Sequence, residues 1–242
     1  MSNSNKYYRI QIVLSKNTRP VPFDNQKICI GVLHRRWLPS DSNRHEPDKK
    51  FSDYAITGLL GGKRNGDFLD FKKGGVIIAS SSDTNFIANI IASAKRSSEF
   101  EFGMKIIDVR IIQEEIKPGK TKMISLSPIL IKEKGVEYTF ESEGVNEIMT
   151  EKAKRVIQNF DPEIDLTDFK IYFSEEPKDI EKRRLANVWL HGHKNRCSLS
   201  AIFIEGSKEA KEVLYYTGLG NSSGSGFGTL GISYDLNLGR KK

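Results

Sequence analysis

The sequence predicts an α+β fold in which a β-α-β-β-α-β order occurs twice, with a glycine-rich loop ahead of the last strand. Three observations carry this reading. In each half of the chain, segments of alternating apolar residues hand over to helical stripes in that order. The stretch KPGKTK, 117–122, punctuates the middle with proline, glycine and charge. Gly218 to Gly228, GLGNSSGSGFG, lies between a helical pattern and an alternating strand. The order is that of tandem ferredoxin-like (RRM-like) units, and the expected domains are residues 1–116 and 117–242. The halves share no convincing sequence identity, so the repeat is architectural.

Residues Tyr7 to Leu14 alternate, with Tyr8, Ile10, Ile12 and Leu14 on one face and Arg9 and Gln11 on the other, the pattern of a half-buried strand. Pro20 and Pro22 mark a turn, Asp24 is the expected N-cap, and Ile28, Val32 and Leu33 stripe a helix ending near Trp37. The polar segment LPSDSNRHEPDKK, 38–50, reads as an exposed loop. Strands are expected over 51–60, 68–71 and 75–80. A second helix starts at Asp83 or Thr84, with Phe86, Ile87, Ile90, Ile91 and Ala94 on one side. Met104 to Gln113 closes the first half as a strand with Ile107, Val109 and Ile111 facing in. In the second half Met123 to Lys132 reads as a strand, and Val145, Ile148, Met149, Val156, Ile157 and Phe160 line a long helix. Further strands are expected over 169–173 and within 188–204, then a helix over 208–216 and a last strand over 229–236.

Composition narrows the partners. The 242 residues carry a net charge of +7, and 29% are charged, so the surface is basic without being a disordered polycation. A polyanion is a plausible ligand on charge alone, and no more than that. Cys29 and Cys197 have no metal-binding or disulfide spacing and are expected as buried thiols in a reducing, cytoplasmic setting. No apolar run approaches the roughly 20 residues that span a bilayer, and the first residues do not form a signal peptide. No cofactor and no membrane partner are expected.

Five glycines in the eleven residues Gly218 to Gly228 free the backbone to take φ > 0 and to bring N–H groups close to an anion such as phosphate. The spacing is Gly218-Leu219-Gly220, five residues, then Gly226-Phe227-Gly228. Gly226, Gly228 and Gly231 formally match a dinucleotide fingerprint, but that motif needs a strand before it and a helix after it, and here the order is reversed. No lysine followed by Ser or Thr closes the run, so a Walker phosphate loop is also excluded.

These residues resemble the signature loop of the CRISPR-associated repeat-RNA endonucleases of the RAMP superfamily. SLSPILIKEKG, 125–135, resembles the strand that opens that family's second domain. The first strand followed by PVPFDNQKICIGVLHRRW, 20–37, resembles its first strand and helix. The resemblance implies a metal-independent endoribonuclease that cuts precursor CRISPR RNA within each repeat, its partner being the repeat RNA. It implies RNA contacts from the loop: Gly218, Gly220, Asn221, Ser222, Ser223, Gly224, Ser225, Gly226 and Gly228. Many members carry Lys or Arg in the five-residue insert, whereas Asn221 to Ser225 is neutral, so the charge for RNA must come from elsewhere.

Only four histidines, His34, His45, His191 and His193, are available for proton transfer near pH 7. Relatives often place a histidine, and a lysine a few residues later, just before a strand-like aromatic segment; RHEPDKKFSDYAI supplies His45, Lys50 and Phe51. His34 falls about where relatives have a tyrosine or another histidine. The chemistry implied is attack of a 2′-hydroxyl on the adjacent phosphate, giving a 2′,3′-cyclic phosphate and a 5′-hydroxyl. One of His34 and His45 acts as base and the other as acid, in either order, with Lys50 stabilising the developing charge.

His191 and His193 share a strand face but lack third and fourth ligands, so no metal site is expected. His193 instead joins Lys182, Arg183, Arg184, Lys194 and Arg196 as a candidate RNA-gripping stretch flanking a hairpin, though Glu175, Glu176, Asp179 and Glu181 dilute its charge. Core packing accounts for one of Tyr172 and Phe173, and Phe227 is expected to anchor the glycine loop. Two rival readings follow. One is a non-catalytic RNA-binding RAMP subunit of an effector complex with other CRISPR-associated proteins; the other is a ferredoxin-like protein holding a small phosphorylated ligand.

Overall fold

The computed structural model describes residues 7–38, 51–190 and 192–232. The first half runs β1 (Tyr8–Leu14), α1 (Gln26–Val32), a π-helical turn (Leu33–Trp37), β2 (Tyr54–Ile56), the hairpin β3 (Lys63–Asn65) and β4 (Phe68–Asp70), β5 (Gly75–Ser81), α2 (Thr84–Arg96) and β6 (Ile106–Ile112). The second half runs β7 (Thr121–Ser125), the hairpin β8 (Ile131–Glu133) and β9 (Val136–Tyr138), α3 (Val145–Phe160), β10 (Lys170–Phe173) and a short α4 (Pro177–Ile180). It continues with the hairpin β11 (Arg184–Leu190) and β12 (His193–Leu199), then β13 (Ala201–Glu205), α5 (Lys208–Thr217) and β14 (Leu230–Gly231).

Two antiparallel four-stranded sheets result, ordered β2-β5-β1-β6 and β10-β13-β7-β14. Each has the same arrangement: the first strand of its half lies between the third and the fourth, and the second strand forms an edge. One core gathers Ile10, Ile12 and Leu14 of β1 with Cys29, Val32, Leu33, Phe86 and Ile90 from the helices. The other gathers Met123, Ile171, Ile202 and Ile204 with Met149, Val156, Ile157, Val213 and Leu214. Both helical stripes lie where a 3.6-residue period puts them. The helix boundaries have local causes: the Asp83 carboxylate accepts from the Asn85 N–H at 2.8 Å, and the Ser207 hydroxyl from the Ala210 N–H at 3.2 Å. At α1 the N-cap is Asn25, one residue beyond the expected Asp24, and its side chain makes no capping bond.

Three expectations need correction. Strand β1 is buried on both faces: Gln11 is buried as well as Arg9, and Arg9 lies under the second half of the chain. The Arg9 guanidinium sits 3.5 Å over the Tyr215 ring and donates to the Leu230 and Tyr215 carbonyls at 2.7 and 2.6 Å. Tyr215 O is one of the four carbonyls that the end of α5 leaves without a helical partner, so a cation is well placed there. Ser80 donates to the next such carbonyl, Tyr216 O, at 2.8 Å. The second correction concerns Ile107 and Ile111, which are 65% and 59% exposed. Strand β6 is an edge strand whose register against β1 shifts between Val13 and Leu14, and Ile106 and Val109, the latter opposite Ile12, pack on the core in place of Ile107 and Ile111. Third, the expected strand 123–132 is interrupted. Pro128 has no N–H to give a ladder, so β7 stops at Ser125 and the chain re-pairs at Ile129 with Ser198.

Among the described residues, no helix is long and apolar enough to cross a membrane. Cys29 and Cys197 are both buried, and burial pushes their thiols up to about 12.

Candidate RNA-binding and active-site cleft

The two halves enclose a cleft of about 390 Å³. Its first wall is His34 and the segment Phe51 to Tyr54. Its second is Lys152, Arg155 and Val156 of α3, and its third is the loop from Thr217 to Ser225. His34 stands on the π-helical turn, which Leu33 and Trp37 pin into the core and which the Leu38 N–H closes onto Leu33 O at 2.9 Å. That i to i+5 closure is rare, and where it occurs it often serves a site. The Tyr54 hydroxyl lies 3.3 Å from His34 Nε2, and the two rings meet edge to face with centroids 6.4 Å apart. Tyr54 is itself stacked on Phe86, centroid to centroid 4.7 Å, so the partner that orients His34 is held by the core.

The glycine loop is tied to both halves. Gln26 Nε2 donates to Ser225 O at 2.8 Å, and Ser223 Oγ donates to Tyr54 O at 3.4 Å. On the other side the Asn221 N–H donates to Leu130 O at 2.7 Å, and Asn221 Oδ1 accepts from the Lys132 N–H at 2.8 Å. A Cβ on Gly228, whose φ is +63°, would run into the Leu219 carbonyl. Gly224 matters for a different reason: a Cβ there would stand 2.9 Å from Tyr54 Cζ and 2.7 Å from Ser52 Oγ. Gly218, Gly220 and Asn221 to Ser225 line the cleft, whereas Gly226 and Gly228 are buried beneath it and serve packing. Phe227 is fully buried against Leu130 and Cys197, with Ala186 and Val188 of the β11–β12 hairpin beside it.

The lysine and arginine that line the cleft come from α3. Lys152 Nζ lies 2.9 Å from Glu133 Oε2, and Arg155 Nη1 lies 3.5 Å from Glu133 Oε1. The Lys152 hydrogen bond and charge, joined by Arg155, hold the Glu133 carboxyl below the usual glutamate range. Two cations therefore line the cleft opposite the loop, with Glu133 paired to both and Asp53 on the first wall. Sequence reasoning passed over Lys152, Arg155, Tyr54 and Gln26. One signal was present: Lys152 sits three residues after Met149 and four before Val156, where an apolar stripe calls for another apolar side chain.

The other candidates fall elsewhere. His45 and Lys50 lie outside the described residues, as does His191. None of Lys182, Arg183, Arg184, His193, Lys194 and Arg196 lines the cleft. Arg183 turns inward, donating to Ser174 O at 2.6 Å and to Glu175 at 2.5 Å with its guanidinium over the Phe140 ring, so it is structural rather than available to a ligand. Arg184 folds back onto the Glu181 and Arg183 carbonyls, and Arg196 pairs with Glu141 at 2.8 Å. His193 and Lys194 are exposed on the hairpin. Phe173 is core, and the half-buried Tyr172 donates to Glu205 at 2.6 Å.

Residues 111–232 match the family model for the CRISPR associated protein Cas6, C-terminal. Among solved structures the chain is similar to one described as CRISPR associated protein Cas6, at 16% identity and a TM-score of 0.73, over 94% of this chain and 99% of that one. It is similar to a RAMP protein described as binding different RNA substrates, at 18% identity and a TM-score of 0.75, over 93% and 99%. A third is the product of a Cas6-related gene from Pyrococcus furiosus, at 19% identity and a TM-score of 0.73, over 95% and 99%. No curated protein sequence matches significantly. The structural likenesses show a shared α+β fold of two antiparallel sheets flanked by helices, and the family model spans half of the sequence, from the end of the first sheet through the glycine loop: the chain belongs to the Cas6 family of CRISPR-associated RAMP proteins.

Proposed function

We propose that the protein is a metal-independent endoribonuclease that binds CRISPR repeat RNA and cuts precursor CRISPR RNA within the repeat. The observation that carries this reading is the meeting, in one cleft, of a histidine on a core-anchored turn, a glycine-rich loop and the cations Lys152 and Arg155. The chain divides into ferredoxin-like domains at 116/117. The first contributes the proton-transfer groups, and the second contributes the loop and the α3 cations.

The reaction needs a base, an acid and positive charge. His34 or His45 takes the proton from a 2′-hydroxyl, and the freed oxygen attacks the adjacent phosphorus. The bond from phosphorus to the 5′-oxygen then breaks, and the other histidine protonates the leaving oxygen. The products are a 2′,3′-cyclic phosphate and a 5′-hydroxyl, and DNA cannot react because it lacks the attacking group. Lys50, bonded to the cleft residue Phe51, stabilises the phosphorane, while Lys152, Arg155 and the amides of Gly220 and of Ser222 to Gly224 hold the phosphates. Tyr54 orients His34. RNA contacts at the hairpin come from His193, Lys194 and Arg196, with Lys182 and Arg184 at its base.

Cleavage of labelled repeat RNA in excess EDTA, with no cleavage of a copy carrying a single 2′-deoxy nucleotide at the cut, is the expected result. His34→Ala should lose cleavage by about a hundredfold or more, the usual contribution of a general acid or base, and keep its affinity for RNA. Tight binding by the wild type without cleavage, with or without magnesium, would reduce the protein to an RNA carrier.

A further inference from the structure

Among the described residues the β11–β12 hairpin joins neither four-stranded sheet, meeting the rest of the backbone at the Ile129–Ser198 bridge, and it presents two unlike faces. Its inner face, with Ala186, Val188 and Cys197, rests on Phe227 and Leu130, so it is braced by the loop that lines the cleft. Strand alternation sends the neighbouring side chains the other way. Trp189 stands directly opposite Lys194, and Asn187 opposite Arg196, all four exposed on that outer face. Trp189 is 57% exposed. Among the described residues no ring and no cation lies on its indole, in contrast to Phe23, another exposed aromatic, whose ring Arg64 approaches to 5.5 Å. Lys194 has no ion pair among the described residues either.

We infer that Trp189 is a stacking platform for an unpaired base of the bound RNA, with Lys194 meeting the phosphate beside it. This rests on the RNA-processing reading above and adds a requirement to it: at least one nucleotide outside the cleaved bond must be unpaired when bound. A base within a duplex is stacked on its neighbours and cannot offer its face to an indole, whereas a splayed base can. Arg196, oriented by its pair with Glu141, extends the basic strip along the same face.

The chain has only two tryptophans, and Trp37 is buried in the first core, which makes the test optical. Titrating full-length protein with repeat RNA should quench the emission of Trp189. Trp189→Phe should bind with nearly wild-type affinity and show no such quench, while Trp189→Ala should bind roughly tenfold or more weakly, as loss of one stacked base implies. Unchanged indole emission at saturating RNA, or wild-type affinity in Trp189→Ala, would overturn the inference and leave the nuclease reading standing. Equal affinity for the repeat and for the same repeat annealed to its complement would likewise overturn it, in favour of a hairpin that enters a groove. Failure of the wild type to bind repeat RNA at all would overturn both.

Discussion

Glu133 offsets part of the positive charge that Lys152 and Arg155 bring to the cleft. Ionised, it leaves Lys152, Arg155 and itself with a net charge of one; Glu133→Gln raises that to two while keeping a hydrogen-bonding side chain. The expected outcome is tighter RNA binding with a steeper salt dependence. Each added phosphate contact on a single strand changes the slope of log K against log salt by about 0.7. Lys152→Ala should do the reverse, and fluorescence anisotropy across a salt series reads both. Little of this was legible in advance. His34 was visible as one of four histidines, and its place near the end of the first helix held. Lys152 was hidden because a lysine on a helix normally reads as solvent-facing, and the cleft walls it faces are built from residues more than sixty positions away. Arg183 misled in the opposite direction, since a run of cations does not reveal which one will meet the Ser174 carbonyl.

The glycine loop is one element with two kinds of glycine. Gly228 and Gly66 have nearly the same backbone, φ +63° and +61°, but an added methyl at Gly66 meets nothing, and at Gly228 it meets the Leu219 carbonyl. Both alanine variants carry the left-handed penalty of about 1–2 kcal/mol. Gly228→Ala should lose about 1–3 kcal/mol more from overpacking, measured as the difference in urea midpoints. Gly224→Ala should press on Tyr54 and slow cleavage more than it weakens RNA binding, which single-turnover kinetics would separate. The position of this stretch between a helix and a strand was readable from residue type alone. Which glycines face the cleft was not, because Tyr54, Gln26 and Leu130 come to the loop from far along the chain. The π-helical turn was equally opaque: nothing in LHRRW distinguishes it from ordinary helix.

At the scale of the molecule, Arg9 joins the halves. Arg9→Ala would leave the buried carbonyls of Tyr215 and Leu230 without their donor, and hydrogen bonds to a charged group contribute about 1.5–3 kcal/mol each. The expected loss is about 3 kcal/mol or more by denaturant unfolding, with RNA affinity falling as the loop loses its seat. Period-two alternation correctly marked Arg9 as opposite the apolar face of β1. It could not show that a second layer would cover that face, since local pattern records a neighbour's polarity and not its arrival. The same contact orders events during synthesis. Arg9 emerges from the ribosome early, while its acceptor on β14 and the loop before it emerge late. A nascent chain therefore carries His34 long before the loop and α3 that complete its cleft have been made.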